Sequence, residues 1–196
     1  IGAAVCSIVV AVRRKFVLLL PLIYIMPCLM PDQTIAVSTP EPVPDAIAVT
    51  VGSSGTTAGF LAGAHALALS GGPDIPLYAF DTFGTDYPVQ ARERIMEHAE
   101  ECWASLSLPG RCGERLLRLS CDFVGPGYSR PYPGMIEAVR LVAQSEGVIL
   151  DPNYTGKSMA GLLDAIRKGA FTADQHVVYL HTGGLPALFA MRRHFA

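Results

Sequence analysis

Short apolar runs alternate with longer amphipathic segments from Pro44 onward. Runs rich in Val, Ile and Leu and bounded by glycine or proline predict buried strands at residues 46–51, 75–80, 148–150 and 177–181. Apolar positions at helical spacing predict helices at residues 58–69, 87–106, 134–147, 156–168 and 186–193. This alternation indicates an α/β fold, here a partial three-layer sandwich with a mostly parallel sheet covered on both faces.

The first part of the chain departs from this pattern. Residues 16–30 are apolar and follow three consecutive basic residues, an order typical of a signal peptide or a membrane anchor. The run is shorter than the ~20 residues of a spanning helix, and Pro21 and Pro27 interrupt helices, so a membrane span is disfavoured. Three interpretations stay open: a membrane or export signal, a buried helical hairpin, and a divergent apolar and proline-rich segment over residues 1–43.

Composition narrows the classes of function. The chain is 51% hydrophobic and 16% charged, below the ~25% charged share of an average soluble domain, so much of it is expected to be buried. The formal net charge of -2 argues against a nucleic-acid partner. The five cysteines form no C-x-x-C pair and the histidines show no metal spacing, so no disulfide framework or metal site is predicted. Such thiols indicate a reducing compartment and a cytoplasmic location.

A loop of small residues follows the predicted strand at residues 46–51. It contains Gly52, Ser53, Ser54, Gly55 and Thr56. Glycines let the backbone approach an anion closely, and the N-terminus of the following helix supplies positive partial charge. The loop lacks the G-K-[ST] of a P-loop and the G-x-G-x-x-G order of a dinucleotide fold. It is either the phosphate site of a smaller cofactor or a plain helix-capping loop.

Other connections between predicted elements carry candidate side chains. Tyr154 is either an acid or base, since a phenol near a cationic cofactor can have a lowered pKa, or an aromatic packed against the sheet. Tyr128 lies in a Gly- and Pro-rich loop that is expected to face the same cleft. Thr182 follows His181, which we interpret as structural, and is either a ring-nitrogen contact or a helix cap. Lys157 is a weak Schiff-base candidate, because it lies at a helix start without an evident hydrophobic pocket.

Three segments, in this order, resemble the pyridoxal 5′-phosphate (PLP) enzymes of the D-cysteine desulfhydrase and 1-aminocyclopropane-1-carboxylate deaminase family. They are PDAIAVTVGSSGTTAGFLAG, FVGPGYSRPYPGMIEAVRLVAQSEGVILDPNYTGKSMAGLLDAIRKG and VVYLHTGGLPALFA. The resemblance implies a fold of the tryptophan synthase β type (PLP fold type II), of which this chain supplies part of the large domain. It also implies that residues 52–56 hold the cofactor phosphate, that Tyr154 and Tyr128 lie near the substrate, and that Thr182 meets the pyridine nitrogen.

Two positions separate the branches of this family. Deaminase members typically carry Glu after the D-P-x-Y tyrosine and Leu after the strand-end histidine, whereas this chain has Thr155 and Thr182. The departure favours a desulfhydrase-like lyase that eliminates hydrogen sulfide and ammonia from D-cysteine to give pyruvate, with Thr155 as a specificity position. An aminocyclopropane-carboxylate deaminase and a cysteate sulfo-lyase stay as alternatives. The resemblance further implies a small amino-acid substrate and homodimers among full-length relatives.

The resemblance also implies that one part of the site is missing. In the family, the Schiff-base lysine precedes the glycine loop in an S-x-x-x-N-K context, whereas here only Lys15 precedes Gly52 and it matches no such motif. We therefore expect residues 44–196 to be the C-terminal part of the PLP-binding domain, residues 1–43 to lack family resemblance, and the chain to be an incomplete enzyme that is inactive alone. The alternative is a non-catalytic, phosphate-binding pseudo-enzyme.

Overall fold

The computed structural model describes residues 6–11, 18–23, 43–84 and 88–195. Within these ranges the strands are β1 (Cys6–Ala11), β2 (Leu18–Ile23), β3 (Ala46–Val51), β4 (Leu77–Asp81), β5 (Leu117–Ser120) and β6 (Val177–His181). The helices are α1 (Gly55–Leu69), α2 (Pro88–Ser105), α3 (Pro133–Glu146), α4 (Thr155–Arg167) and α5 (Pro186–Ala190), followed by a 3-10 turn over Arg192–His194.

The described strands form one sheet in the order β2-β1-β6-β3-β4-β5. The four strands β6, β3, β4 and β5 run parallel, whereas β1 is antiparallel to both β6 and β2. Strand β3 is central in the parallel part, where Ile47 lies opposite Leu77 of β4 on one side and opposite Val178 of β6 on the other. This arrangement confirms the predicted α/β class with a mostly parallel sheet.

Helices cover both faces of the parallel strands. One core places Val49 and Val51 of β3 against α1 and α2, with Leu61 and Trp103 fully or almost fully buried. The other core places Ala46 and Ala48 of the same strand against α3 and α4. Alternate residues of β3 therefore face opposite cores, as the period of two along a strand requires. The result is the three-layer order that the sequence predicted.

Most of the predicted elements are present, with shifted ends. Strands β3 and β6 have the predicted bounds, and the strand predicted at residues 75–80 is β4, Leu77–Asp81. The first four helices begin and end within three residues of the predicted positions. Helix α1 begins at Gly55 rather than at residue 58, so the glycine loop already contains its first turn. The last helix ends at Ala190 and a 3-10 turn replaces its predicted second half. Strand β5 was not predicted, because LRLS is short and contains a charged residue.

The predicted strand at residues 148–150 is wrong. These residues form an irregular connection between α3 and α4. Both edges of β6 are already occupied, one by β3 and the other by β1, so no ladder position next to β6 is free for this segment. The backbone of Ile149 instead accepts a hydrogen bond from the ring of His181 at 2.8 Å.

The N-terminal segment contributes a strand hairpin that the sequence did not predict. The apolar run at residues 16–30 is described only over Leu18–Ile23, where it forms β2, so the helical-hairpin interpretation is wrong for these six residues. The rest of that run lies outside the described residues, and so do most of the remaining positions up to residue 42. Among the helices of the described ranges, none combines the length and apolar character that crossing a membrane requires.

Candidate functional site

A cavity of about 540 Å³ opens at the carboxyl ends of strands β3 and β6. Its volume lies within the range of small-molecule sites, and this edge of an open parallel sheet is where ligands bind. The lining residues are Thr50, Gly52, Ser53, Ser54, Thr56, Thr57, Phe83, Arg94, Tyr154, Thr182, Gly183 and Gly184. The structure thus brings together six predicted site residues: Gly52, Ser53, Ser54, Thr56, Tyr154 and Thr182. Gly55, Tyr128 and Thr155 are not among the lining residues.

The glycine loop leads directly into the first turn of α1. Ser54 occupies the N-cap position in the left-handed region, with φ of 74°, and its side chain makes no capping hydrogen bond. The first turn also contains no acidic residue. The N–H groups at the start of a helix have no partner within the helix, so this uncapped terminus presents donors and positive partial charge to an anion.

Arg94 adds a full positive charge to the same part of the cavity. It lies on α2 and lines the cavity, and its Nε is 3.5 Å from Ser54 Oγ, a long hydrogen bond. The position of Arg94 in the cavity was not predicted from the sequence, because an arginine on an amphipathic helix is usually a solvated surface charge. No local signal in the sequence distinguishes Arg94 from the exposed Arg92 one half-turn earlier.

The second helix N-terminus at the site belongs to α4, and a carboxylate of the chain lies at its start. The carboxylate of Asp151 accepts hydrogen bonds from the backbone N–H of Asn153, Tyr154 and Thr155, each at 2.8 Å. Asp151 is fully buried. The sequence analysis did not single out Asp151, although an aspartate shortly before a helix is a common capping signal. Its role here is to hold the turn from which Tyr154 extends.

Thr155, the proposed specificity position, is fully buried in this turn. Its hydroxyl donates to Asp151 Oδ2 at 2.6 Å and accepts from the Asp151 N–H at 2.9 Å. The Thr155 hydroxyl therefore makes both of these hydrogen bonds, one as donor and one as acceptor, with the neighbouring Asp151. Its effect on specificity stays a prediction, and such an effect would act through the position of the neighbouring Tyr154.

Tyr154 and Tyr128 form a pair at the edge of the cavity. Their hydroxyl groups are hydrogen-bonded, and their ring centroids lie 5.6 Å apart. Phe83 packs on the other side of Tyr128, with ring centroids 5.0 Å apart. The hydrogen bond with Tyr128 is the larger cause, and burial the second, of the rise in the pKa of Tyr154 to about 12. The surroundings in this chain thus act against the lowered pKa considered from the sequence, and Tyr154 keeps its proton at neutral pH.

The loop after β6 combines a fixed histidine with a free hydroxyl. His181 Nδ1 accepts from the Gly183 N–H at 3.2 Å, which assigns the proton to Nε2, 2.8 Å from the Ile149 carbonyl oxygen. These contacts confirm that His181 is structural. The hydroxyl of Thr182 lines the cavity and, within the described part of the chain, has no hydrogen-bond partner. It is available to a ligand.

Gly184 is required where this loop passes the turn before α4. Its φ is +93°, and a Cβ at this position would lie 2.5 Å from the carboxyl carbon of Asp151. Any side chain would therefore displace the buried carboxylate that caps α4. This contact couples the two loops that border the cavity.

Lys157, the weak Schiff-base candidate, is completely buried and is not among the cavity-lining residues. Its ammonium donates to the carbonyl oxygens of Val124 at 2.6 Å and Gly127 at 2.7 Å. Burial lowers the pKa of Lys157. The burial of Lys157 was not predicted from the sequence, because a lysine in a helix gives no local sign of facing the interior.

Beneath the cavity lies a connected set of hydroxyl groups. Thr50 and Ser158 are 2.5 Å apart, Ser158 and Tyr179 are 2.6 Å apart, and Tyr179 donates to the Thr155 carbonyl at 2.7 Å. Tyr179 is fully buried, and this burial raises its pKa. These groups satisfy one another, so the network supports the floor of the cavity.

Comparisons with known proteins agree with this geometry. A family model described as pyridoxal-phosphate dependent enzyme matches residues 33–183. The D-cysteine desulfhydrases of Salmonella paratyphi C and Salmonella newport are each 36% identical to this chain over 148 residues. These matches cover 76% of this chain and 42% of each relative, so the chain spans about two fifths of the length of these relatives.

A solved crystal structure described as an ACC deaminase homologue is similar to this chain. The TM-score is 0.66 at 28% sequence identity, and the match covers 80% of this chain and 45% of that chain. The likeness agrees with the α/β architecture and with the parallel strands that surround the cavity.

Proposed function

Because the chain belongs to the family of pyridoxal-phosphate dependent enzymes, we propose that it binds the phosphate of PLP at the open N-terminus of α1. The observation that carries this proposal is the uncapped first turn, with Ser54 at its N-cap, facing a cavity of about 540 Å³. The residues present fit the group: backbone donors and Arg94 suit a phosphate, and the free hydroxyl of Thr182 suits a ring nitrogen.

Each part of the cavity then has a role in the proposed site. The loop amides and hydroxyls of Gly52, Ser53, Ser54, Gly55 and Thr56 bind the phosphate, and Thr182 orients the ring. When bound, PLP supplies an electron sink for bonds at the substrate α-carbon. Tyr154, with Tyr128 hydrogen-bonded to it, holds a proton on its Oη at neutral pH and delivers it to the leaving group.

For the activity of the whole protein, we propose β-elimination on D-cysteine, giving hydrogen sulfide, ammonia and pyruvate. Relatives named D-cysteine desulfhydrase at 36% identity support this assignment, as do Thr155 and Thr182 in place of the Glu and Leu typical of deaminases. An aminocyclopropane-carboxylate deaminase is the alternative that the similar structure, at 28% identity, supports. A cysteate sulfo-lyase acts on the same class of small amino acid.

We also propose that this chain does not supply the Schiff-base lysine. The described lysines are Lys157, which faces backbone carbonyls, and Lys168, which is exposed and paired with Asp164. Neither lines the cavity. In this proposal residues 44–196 form the C-terminal part of the PLP-binding domain, and the complete protein is a cytoplasmic homodimer. Residues 1–43, of which the family model matches only residues 33–43, are a divergent segment.

The phosphate proposal is tested by equilibrium dialysis of the 196-residue chain against PLP and against pyridoxal, which lacks the phosphate. We expect PLP to bind at least about tenfold more tightly, a difference of ~1.4 kcal/mol. Equal affinity for the two compounds, or no binding of PLP, would contradict the phosphate site.

The lysine proposal is tested by reducing the PLP-loaded chain with borohydride and mapping modified lysines by mass spectrometry. We expect no stoichiometric adduct. A single-site adduct on Lys157 would show that this buried side chain reaches the cofactor after all.

The substrate proposal is tested with Thr182→Leu in a longer chain that carries the S-x-x-x-N-K segment of the family. Loss of the hydroxyl at the ring nitrogen is expected to lower pyruvate release from D-cysteine at least about tenfold. Thr182→Ser, which keeps the hydroxyl, is the matched control. The same assay with aminocyclopropane carboxylate, read as 2-oxobutyrate, separates the lyase from the deaminase.

A further inference from the structure

Lys157 is a charged side chain in a place where charge is costly. It lies in the first turn of α4 and has no exposed surface. Burying an ammonium without partners costs several kcal/mol, and this desolvation lowers the pKa of Lys157. The nearby carboxylate of Asp151 acts in the opposite direction and favours the charged form. A methionine would fill the same space without this cost, so the ammonium requires an explanation.

The partners of the ammonium belong to a single distant loop. Lys157 Nζ donates to Val124 O, 33 residues away, and to Gly127 O, 30 residues away. The same loop is attached a second time to the start of α4, because Ser129 Oγ donates to Asn153 Oδ1 at 3.0 Å. The loop at residues 124–129 is therefore held on both sides of Tyr128.

Tyr128 is 41% exposed, and its ring packs against two other aromatic rings at the edge of the cavity. The backbone around it is unusual: Gly127 has a φ of 138° and Ser129, a non-glycine residue, has a φ of 58°. Such a loop needs external contacts to keep one conformation. For the residues on both sides of Tyr128, these contacts include the hydrogen bonds with Lys157 and Asn153.

We propose that Lys157 is a positioning residue whose ammonium fixes the loop at residues 124–129, so that the hydroxyl of Tyr128 meets the hydroxyl of Tyr154 at the edge of the cavity. The inference rests on the proposed function only in placing this tyrosine pair beside a substrate. Lys157 and Tyr154 lie in one turn of the same helix start, so the lysine links the two tyrosines through a rigid element. It acts through the loop and touches neither cofactor nor substrate.

The test is the hydrogen bond between Tyr128 and Tyr154 in Lys157→Met, which keeps the length of the side chain and removes its charge and donors. The readout is the Cζ chemical shift of Tyr154 in the 13C-tyrosine-labelled 196-residue chain at neutral pH, assigned with Tyr154→Phe. Tyr128→Phe gives the position of this signal when the hydrogen bond is absent. We expect Lys157→Met to move the Tyr154 signal most of the way from its wild-type position to its position in Tyr128→Phe.

Lys168→Met is the matched control, because Lys168 is an exposed lysine of the same region that pairs with Asp164. It should leave the Tyr154 signal unchanged. A purely structural role for Lys157 would lower the free energy of unfolding but leave the Tyr154 signal at its wild-type position in the folded variant, and that result would overturn the proposal.

Hydrogen exchange of the wild-type chain decides the question if Lys157→Met does not fold. We expect the amides of the loop at residues 124–129 to open together with the first turn of α4. Loop amides that open at least about a hundredfold more readily than that turn would overturn the proposal. PLP dialysis of the wild-type chain tests the proposed function separately, since neither the Tyr154 signal nor the exchange measurement requires cofactor.

Discussion

Two helix N-termini meet at the same cavity, and they differ in what fills them. At helix α4 the fully buried carboxylate of Asp151 accepts the N–H of Thr155, the first helical residue, and the two N–H groups before it, each at 2.8 Å. At helix α1 the N-cap residue Ser54 has a left-handed conformation, its side chain makes no capping hydrogen bond, and the first turn contains no acidic residue. An anionic side chain of the protein therefore occupies the start of α4, whereas the start of α1 is accessible to an anion from solution.

The difference suits the two helices to separate tasks. The hydrogen bonds of Asp151 fix the turn before α4, so this turn can hold Tyr154 in a defined place. The start of α1 keeps its partial charge available, which suits the proposed phosphate site. In this proposal, the feature that separates the two termini is whether a carboxylate of the chain already occupies the N–H groups.

The largest expected effect is the loss of stability when the carboxylate at the start of α4 is removed. Asp151→Ala leaves three N–H groups and the buried Thr155 hydroxyl without their acceptor, so we expect the free energy of unfolding to fall by about 3 kcal/mol. Urea unfolding measures this loss. Asp164→Ala, which removes a partly exposed carboxylate of α4, should cost about 0.5 kcal/mol or less. Equal losses in the two variants would mean that Asp151 does not stabilise the start of α4.

The reverse change introduces a carboxylate at the start of α1. Thr56→Asp places a carboxylate in the first turn of α1, where Thr56 is exposed and lines the cavity. We expect the Kd for PLP to rise by at least about 30-fold, or ~2 kcal/mol, by repulsion of the phosphate. The free energy of unfolding should rise by up to about 1 kcal/mol, because an acidic group suits a helix N-terminus. Thr56→Asn has similar shape without charge, and equal PLP binding by the two variants would count against a phosphate at α1.

A smaller effect tests the contribution of Arg94 to the start of α1. Arg94→Gln removes the arginine charge that lines the cavity, so we expect PLP to bind about tenfold more weakly at low salt, whereas pyridoxal binding stays the same. The control is Arg92→Gln, which removes an exposed charge paired with Glu114. Dialysis at two salt concentrations checks the charge effect. A loss that is the same for PLP and pyridoxal would assign Arg94 to packing instead.

The smallest effect concerns the tyrosine that the turn before α4 holds. The pKa of Tyr154 is about 12 in the folded chain against ~10 when unfolded, so the unfolded chain loses its proton first as the pH rises. Tyr154 therefore makes the free energy of unfolding decrease between about pH 10 and 12, and it has no such effect below pH 10. Tyr128→Phe removes the main cause of the shift. Urea unfolding across this pH range should then show a shallower decrease, and an unchanged slope would exclude Tyr154 as a contributor.

The elements with strong local patterns were predictable from the sequence. Strands β3 and β6 have the bounds that their apolar runs indicated, since a fully buried parallel strand is apolar on both faces. Strand β5 and the strand at residues 148–150 show where this fails. Three or four residues carry too little periodicity, and the ladder positions that are free depend on which distant strands already pair.

Chain order and residue type by themselves determined the α/β architecture, the membership in the PLP family and half of the residues that line the cavity. These follow from local physics: apolar runs form buried strands, and small residues after a strand allow a tight entry into a helix. Only the tertiary structure decided the roles of Asp151, Arg94 and Lys157. A carboxylate, a guanidinium or an ammonium has the same local pattern whether it faces solvent, a cavity or a distant loop, because its partners are brought to it by the packing of helices on the sheet.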